Sequence, residues 1–336
     1  MSDKSAQRYT LNNGKLEVQV SNLGGTLLSI RVPDKDGIER DVLLGYKDLQ
    51  TYLELDGYLG ACIGRVANRI RRGEFTLNGK QYHLPINNGP NSLHGGLKGF
   101  SYQLMEAEDV ENGIRFSYQA KDGEEGYPGN LDFSVTFTLE DDTLHLHYEA
   151  RSDQDTLVNF TNHAYFALAG RPKWVGNQLL QVKADRFAAV DPDGLVTGAI
   201  EEVENTPFDF RQLRPMSQAL NADASEQIAA ARGLDHPYLF NTDKEQVIVQ
   251  DPETGITLSV TTTMPIAHIY TANYLDGRTG KDGLPMNAQD AVCVETEFMP
   301  DDITRNPESP TILRKGERFT SDTWYRFSTN TCSQAN

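Results

Sequence analysis

The chain has 336 residues, with 48 Asp and Glu against 31 Lys and Arg for a formal net charge of −17. That length allows a substantial core, and 38% hydrophobic with 24% charged residues excludes wholesale disorder. The negative field repels phosphate, so neither nucleic acid nor an anionic membrane is an expected partner, whereas a neutral or cationic ligand is. Three cysteines, Cys62, Cys293 and Cys332, include no C-x-x-C pair and make no disulfide framework. With no apolar stretch at the N-terminus and no run long enough to span a bilayer, the expected location is the cytoplasm.

Strand signals dominate in chain order. Alternation appears at residues 16–20 and again from Thr26 to Val32. Phe75–Leu77 and Lys80–Leu84 flank Asn78-Gly79, a pair suited to a two-residue type I′ hairpin. A second hairpin is predicted from Asp132 to Ala150 with its turn at Asp141-Asp142, and Val158–Phe166 reads as a further strand. The one helix candidate is the Ala-rich stretch Ser217–Arg232, ended by Gly233. Val247–Val249 and Ile256–Thr263 form a third hairpin, Ala291–Phe298 alternates, and Trp324–Phe327 closes the chain as a strand. Such a series excludes a doubly wound α/β fold. It predicts an all-β protein, a large antiparallel β-sandwich with few short helices, forming one domain over residues 1–336 with a groove on one face.

The histidines sort by context. His145 and His147 share one face of a strand opposite Leu144, Leu146 and Tyr148. That pattern is half a metal site, but no third ligand is evident nearby, so a solvated strand face is the simpler reading. His83 sits in a hairpin as a structural or exposed residue. His94, in Asn91-Ser92-Leu93-His94-Gly95-Gly96, fits either a loop where a ligand approaches the backbone or a turn-capped loop histidine. On a strand over Val158–Phe166, Asn159, Thr161, His163 and Tyr165 line one face, a row of donors suited to a hydroxylated ligand. Glu295 and Glu297 lie beside Cys293, and a carboxylate set between buried valines is a candidate general base. Arg65, Arg69, Arg71 and Arg72 cluster in an acidic chain, either as charge-balancing surface or with one or two gripping a carboxylate or hydroxyls. Asp235 fits an extended segment before Pro237 or a turn, and Asp301 and Asp302 read as turn formers.

Taken together, Gly64–Ile70, Asn91–Gly96, Asp122–Gly129, Val158–Phe166, Leu234–His236, Tyr270–Gly277 and Val294–Glu297 resemble, in family order, blocks of the aldose 1-epimerase (galactose mutarotase) family. The resemblance runs roughly from residue 15 to 328. It implies a β-supersandwich with an open sugar groove, a small-molecule sugar substrate such as galactose or glucose, and no metal or organic cofactor. A monomer is expected. Carried over position by position, Glu295 matches the general base, His163 the general acid and His94 a second histidine near the ring oxygen. Asn68, Arg69, His94, Tyr165, Asp235 and His268 match positions that contact or orient the sugar. His268 and Glu297 stand where relatives more usually carry glutamine, which bears on substrate preference and on the titration of Glu295.

The implied reaction opens the hemiacetal, turns C1 and recloses the ring, with one base and one acid exchanging roles. His163 is expected to begin as an imidazolium. The rival readings are a hexose-6-phosphate 1-epimerase, suggested by Arg71 and Arg72, then a glycoside hydrolase using Glu295 and Asp235, then a non-catalytic sugar-binding module.

Overall fold

The alternating segments assemble, in a computed structural model, into a nine-stranded, a five-stranded and a four-stranded antiparallel sheet with short two-stranded ribbons between them. The structure describes residues 5–55 and 57–329, so Cys332 lies outside the described residues. In spatial order the large sheet runs Glu106–Val110, Gly113–Ala120, Leu131–Glu140, Thr143–Ser152, Arg318–Thr329, Ile256–Thr262, Val247–Gln250, Leu179–Val182 and Arg214–Pro215. The smaller one runs Val196–Glu202, Arg186–Val190, Asp235–Leu239, Ile266–Tyr270 and Cys293–Glu297. Among the described residues, no helix is long and apolar enough to cross a membrane.

All three hairpins form. Glu74–Leu77 and Lys80–His83 are joined by Asn78 and Gly79 at φ 52° and 76°, the positive pair a type I′ turn requires. Leu131–Glu140 and Thr143–Ser152 turn at Asp141-Asp142, and Arg318–Thr329 closes the sheet beside them. Leu144, Leu146 and Tyr148 are buried, while His145 and His147 are half-exposed on the opposite face. The inner rows of the two larger sheets meet in one buried cluster, with Ala267, Ile269 and Val294 beside Leu146, Tyr325 and Phe327. Each fully buried valine, leucine, isoleucine or phenylalanine among them contributes about 1.5–3 kcal/mol.

Two expected elements change shape. The Ser217–Arg232 helix is broken into 3-10 turns at Met216–Ala219 and Ala222–Ala224, followed by a short α-helix, Glu226–Ala231. Ser225 restarts it as N-cap, accepting from the Gln227 and Ile228 N–H groups, because its hydroxyl satisfies donors a continuous helix would not leave open. The Val158–Phe166 segment pairs as a strand only at Thr161–Asn162. It is threaded between two other chain segments, with Asn159 N–H donating to the Arg65 carbonyl (3.0 Å) and His163 N–H to that of Ala61 (2.9 Å). Phe166 exchanges bonds with Val292. Every residue from Val158 to Phe166 is buried, so the segment has no solvent face.

Candidate active site

Alternation along the smaller sheet sends Val294, Ala267 and Ile269 into the core and leaves Asp235, His268 and Glu295 on the other face. His268 stands directly across from Glu295 in the strand register. Against this row pack the loops carrying Asn68 and His94, both with left-handed backbones (φ 60° and 51°). The two loops clasp each other: the Asn68 N–H donates to His94 Nδ1 (3.1 Å), and the His94 N–H donates to the Asn68 carbonyl (3.0 Å). Gly95 permits this, since a Cβ there would lie 1.9 Å from the Gly64 carbonyl oxygen. The glycine serves the chain's own backbone rather than a ligand.

These elements enclose a cleft of about 560 Å³. Asn68, Arg69, His94, His163, Tyr165, Asp235, His268 and Glu295, dispersed over 228 positions of sequence, all line it. At its floor His163 Nε2 stands 3.6 Å from Glu295 Oε1, with both side chains buried. The His163 ring is stacked on Tyr165 (centroids 4.9 Å apart, 14° between planes) and met edge-on by Tyr270 and His94. Tyr165 is itself tethered by its hydroxyl to the Gly57 carbonyl (2.9 Å). His94, His163 and Glu295 each bring a ligand atom within 4.8 Å of the other two, so they converge on one point; a metal ion is a chemically suitable occupant, and so is a sugar's anomeric centre.

Behind them runs a second network. His268 Nε2 lies 2.6 Å from Asp235 Oδ1, and its Nδ1 lies 3.1 Å from the Asn68 amide nitrogen. Asn68 Oδ1 accepts from the Arg69 N–H (2.8 Å), which turns its NH₂ toward His268 and toward Glu297 Oε1 (3.3 Å). His268 therefore accepts at Nδ1 and donates from Nε2 to Asp235. Glu297 Oε2 takes a further bond from Asn159 (3.5 Å), whereas Glu295 Oε2 is buried with no protein partner.

Burial dominates the electrostatics. It pushes Glu295 well above the ordinary carboxylate range, reinforced by the Glu297 and Asp235 charges and opposed by Arg69. Glu297 is raised in the same way, by burial first, with the Asn68 bond opposing. Desolvation lowers His163 to about 4 despite the nearby Asp235 charge. Burial first, then repulsion from a protonated His163, from Arg69 and from a protonated His268, keeps His94 well below the ordinary histidine value. A neutral His94 with Nδ1 accepting carries its proton on Nε2. Asp235 is the exception: burial would raise it, but the hydrogen bond from His268 and the Arg69 charge bring it below the ordinary value. The lowered imidazole and the raised carboxylate both favour placing the pair's proton on Glu295 rather than on His163. This corrects the expectation of a resting imidazolium, and the cause is loss of water around the ring.

Other placements differ from expectation too. Asn159 and Thr161 do not reach the cleft; Asn159 instead accepts from the Phe298 N–H (2.9 Å) and donates to Glu297. Of the four arginines only Arg69 lines the cleft, its Nε donating to Asn88 Oδ1 (3.0 Å). Arg65 is buried elsewhere against the Pro128 and Gly129 carbonyls and Thr156 Oγ1. Arg71 faces Asp301 and Asp191. Asp235 opens a strand rather than a turn. His145 and His147 acquire the partner the local sequence lacked, Asp322. Aromatic walls at Tyr58, Tyr102 and Tyr274, with Asn88 and Arg278, complete the cleft and were not anticipated; spacing within loops carries no signal that would have found them.

The aldose 1-epimerase family model matches residues 7–326. The chain is 39% identical over 329 residues to the galactose mutarotase of Rattus norvegicus, covering 96% of this chain and 94% of that one. It is 35% identical over 327 residues to the aldose 1-epimerase of Escherichia coli K12, covering 94% and 93%. Its fold superposes on the crystal structure of the GalM/aldose epimerase homologue of C. elegans with a TM-score of 0.91 at 31% identity, over 97% of this chain and 99% of the other.

Proposed function

The chain belongs to the aldose 1-epimerase family of isomerases, and from that premise we propose that it interconverts the α and β anomers of free aldohexoses, galactose and glucose among them, without a cofactor. The observation that carries this reading is the buried Glu295–His163 pair, 3.6 Å apart at the floor of a cleft lined with hydrogen-bonding groups.

Ring opening moves a proton from the C1 hydroxyl to the base and another from the acid to the ring oxygen. With Glu295 as base and His163 as acid, the pair passes from carboxylate and imidazolium to carboxylic acid and neutral imidazole. Reclosure after rotation about C1–C2 returns both protons, so the pair holds one proton throughout. The neutral arrangement that these shifts favour is therefore the one that accompanies the open-chain aldehyde. Opening starts when that proton sits on His163, an arrangement favoured by sugar hydroxyls donating to Glu295 and by the Asp235 charge. His94, with a neutral ring donating from Nε2, is suited to the ring oxygen. Asp235, oriented by His268, and Arg69, which forms no ion pair among the described residues, are suited to the remaining hydroxyls.

A phosphorylated hexose is less well served, because Arg71 faces Asp301 and Asp191 and lies outside the cleft lining, as does Arg72. Buried free thiols at Cys62 and Cys293 accord with the reducing cytoplasm. Polarimetry on freshly dissolved α-D-galactose tests the reading. Wild type should abolish the slow rotation transient, and Glu295→Gln should lose about 10²–10⁴-fold in rate. Folded wild type that leaves the transient at its spontaneous rate would refute it.

A further inference from the structure

The outward face of the large sheet gathers three potential metal ligands, none of which lines the sugar cleft. His145 and His147 project from the strand Thr143–Ser152, and Arg318–Thr329 pairs with it so that Asp322 lies opposite His147 and Trp324 opposite His145. Asp322 Oδ1 sits 2.8 Å from His145 Nε2 and 2.7 Å from His147 Nδ1. One ligand atom from each residue falls within 4.8 Å of the other two. We propose that His145, His147 and Asp322 bind one divalent transition-metal ion of the zinc and copper class.

The donor set is two imidazole nitrogens and one carboxylate oxygen, which suits Zn²⁺ or Cu²⁺ and disfavours Ca²⁺ and Mg²⁺. Both imidazoles already direct a nitrogen at the same oxygen, so an ion entering between them replaces the two protons shared with Asp322. Tetrahedral zinc with bonds of about 2.0–2.1 Å spaces its ligand atoms roughly 3.3 Å apart, which asks the carboxylate to withdraw by about 0.5 Å. The fourth position stays open to water.

The side chains are held ready for this. His145 is stacked on Trp324 with centroids 4.7 Å apart and 7° between planes, and its Nδ1 lies 3.4 Å from Thr138 Oγ1. The backbone of Asp322 is fixed by Thr263 Oγ1, which accepts from its N–H (2.9 Å), and by Thr262 Oγ1, which donates to its carbonyl (2.9 Å). Outer partners of this kind orient ligands and raise affinity. Side-chain exposures of 22%, 32% and 23% for His145, His147 and Asp322 leave the cluster reachable yet partly shielded from water.

Isothermal titration of the whole protein with Zn²⁺, in the presence of saturating galactose, provides the test. One saturable site per chain is expected. In a Trp174→Phe background Trp324 is the sole tryptophan, and Cu²⁺ should quench it, with EDTA restoring the emission. His147→Gln and, separately, Asp322→Asn should each weaken Zn²⁺ binding by at least the roughly 10-fold that outer-shell changes produce, with galactose turnover unchanged as the check on folding. Absence of saturable binding would overturn the proposal. So would an affinity unchanged in both variants, or a site present only without sugar, which would assign the ion to His94, His163 and Glu295.

Discussion

Replacing Glu297 by glutamine probes the proton economy of the cleft at the point where the structure is most specific. Glu297 accepts from Asn68 and Asn159, while Glu295 has one oxygen without a protein partner, so Glu297 ionises first and its charge holds the proton on Glu295. Two unit charges about 7 Å apart, the i,i+2 spacing of a strand, repel by about 2.4 kcal/mol at an effective dielectric near 20, or about 1.7 pH units. On the proposed mechanism, activity requires the Glu295–His163 pair to hold one proton. A second proton enters as pH falls toward the His163 value of about 4, and the last one leaves as pH rises through the elevated Glu295 value. The profile of kcat/KM, which reports the unliganded enzyme, should therefore be a broad plateau. Glu297→Gln should pull its alkaline limb down by about one to two pH units and leave the acid limb near its wild-type position. Polarimetry across pH with galactose measures both limbs. An alkaline limb that stays put would refute the coupling, and movement of the acid limb alone would place the titrating base elsewhere.

Arg65 and Arg69 should separate cleanly by assay. Arg65→Ala strands three buried acceptors and should cost about 3 kcal/mol or more in urea unfolding, with kcat of the folded protein unchanged. Arg69→Ala should raise KM about 10-fold or more by removing a charged donor from the cleft, with little loss of stability. Burial lowers His236 to about 3, with its Nε2 unpartnered, so it favours the fold while neutral. That contribution is complete above the unfolded value near 6.5 and is lost as pH falls toward 3. The drop in stability from pH 7 to pH 4 should accordingly be about 3 kcal/mol smaller in His236→Gln than in wild type. Glucose 6-phosphate should be turned over far more slowly than glucose, since Arg71 and Arg72 lie outside the cleft lining; comparable rates would reverse the ranking.

Period-two patterning located the strands that matter because each has one dry face. Leu144, Leu146 and Tyr148 mark the inward side of theirs as plainly as Val294 marks that of the Glu295 strand. The same rule held for half of Val158–Phe166: His163 and Tyr165 reach the cleft, whereas Asn159 and Thr161 do not. Asn159 is polar because it must bond the Phe298 N–H and Glu297 inside the protein. An uncharged row of donors looks identical whether it meets a sugar or the backbone.

Partnership across the sheet is the other thing that local sequence withholds. Asp322 is separated from His147 by 175 residues, and only strand register sets them opposite each other. Asn68 reaches Glu297 across 229 residues from a loop packed against the sheet. Proton affinity follows from those contacts rather than from residue type: a glutamate and a histidine named from a motif suggest a carboxylate and an imidazolium, whereas burial against Tyr165 and Tyr270 lowers the imidazole, and burial with the Glu297 and Asp235 charges raises the carboxylate. These shifts do not disable the pair. One proton shared between two groups of shifted affinity can reside on either, and an anomerising enzyme needs it on each in turn.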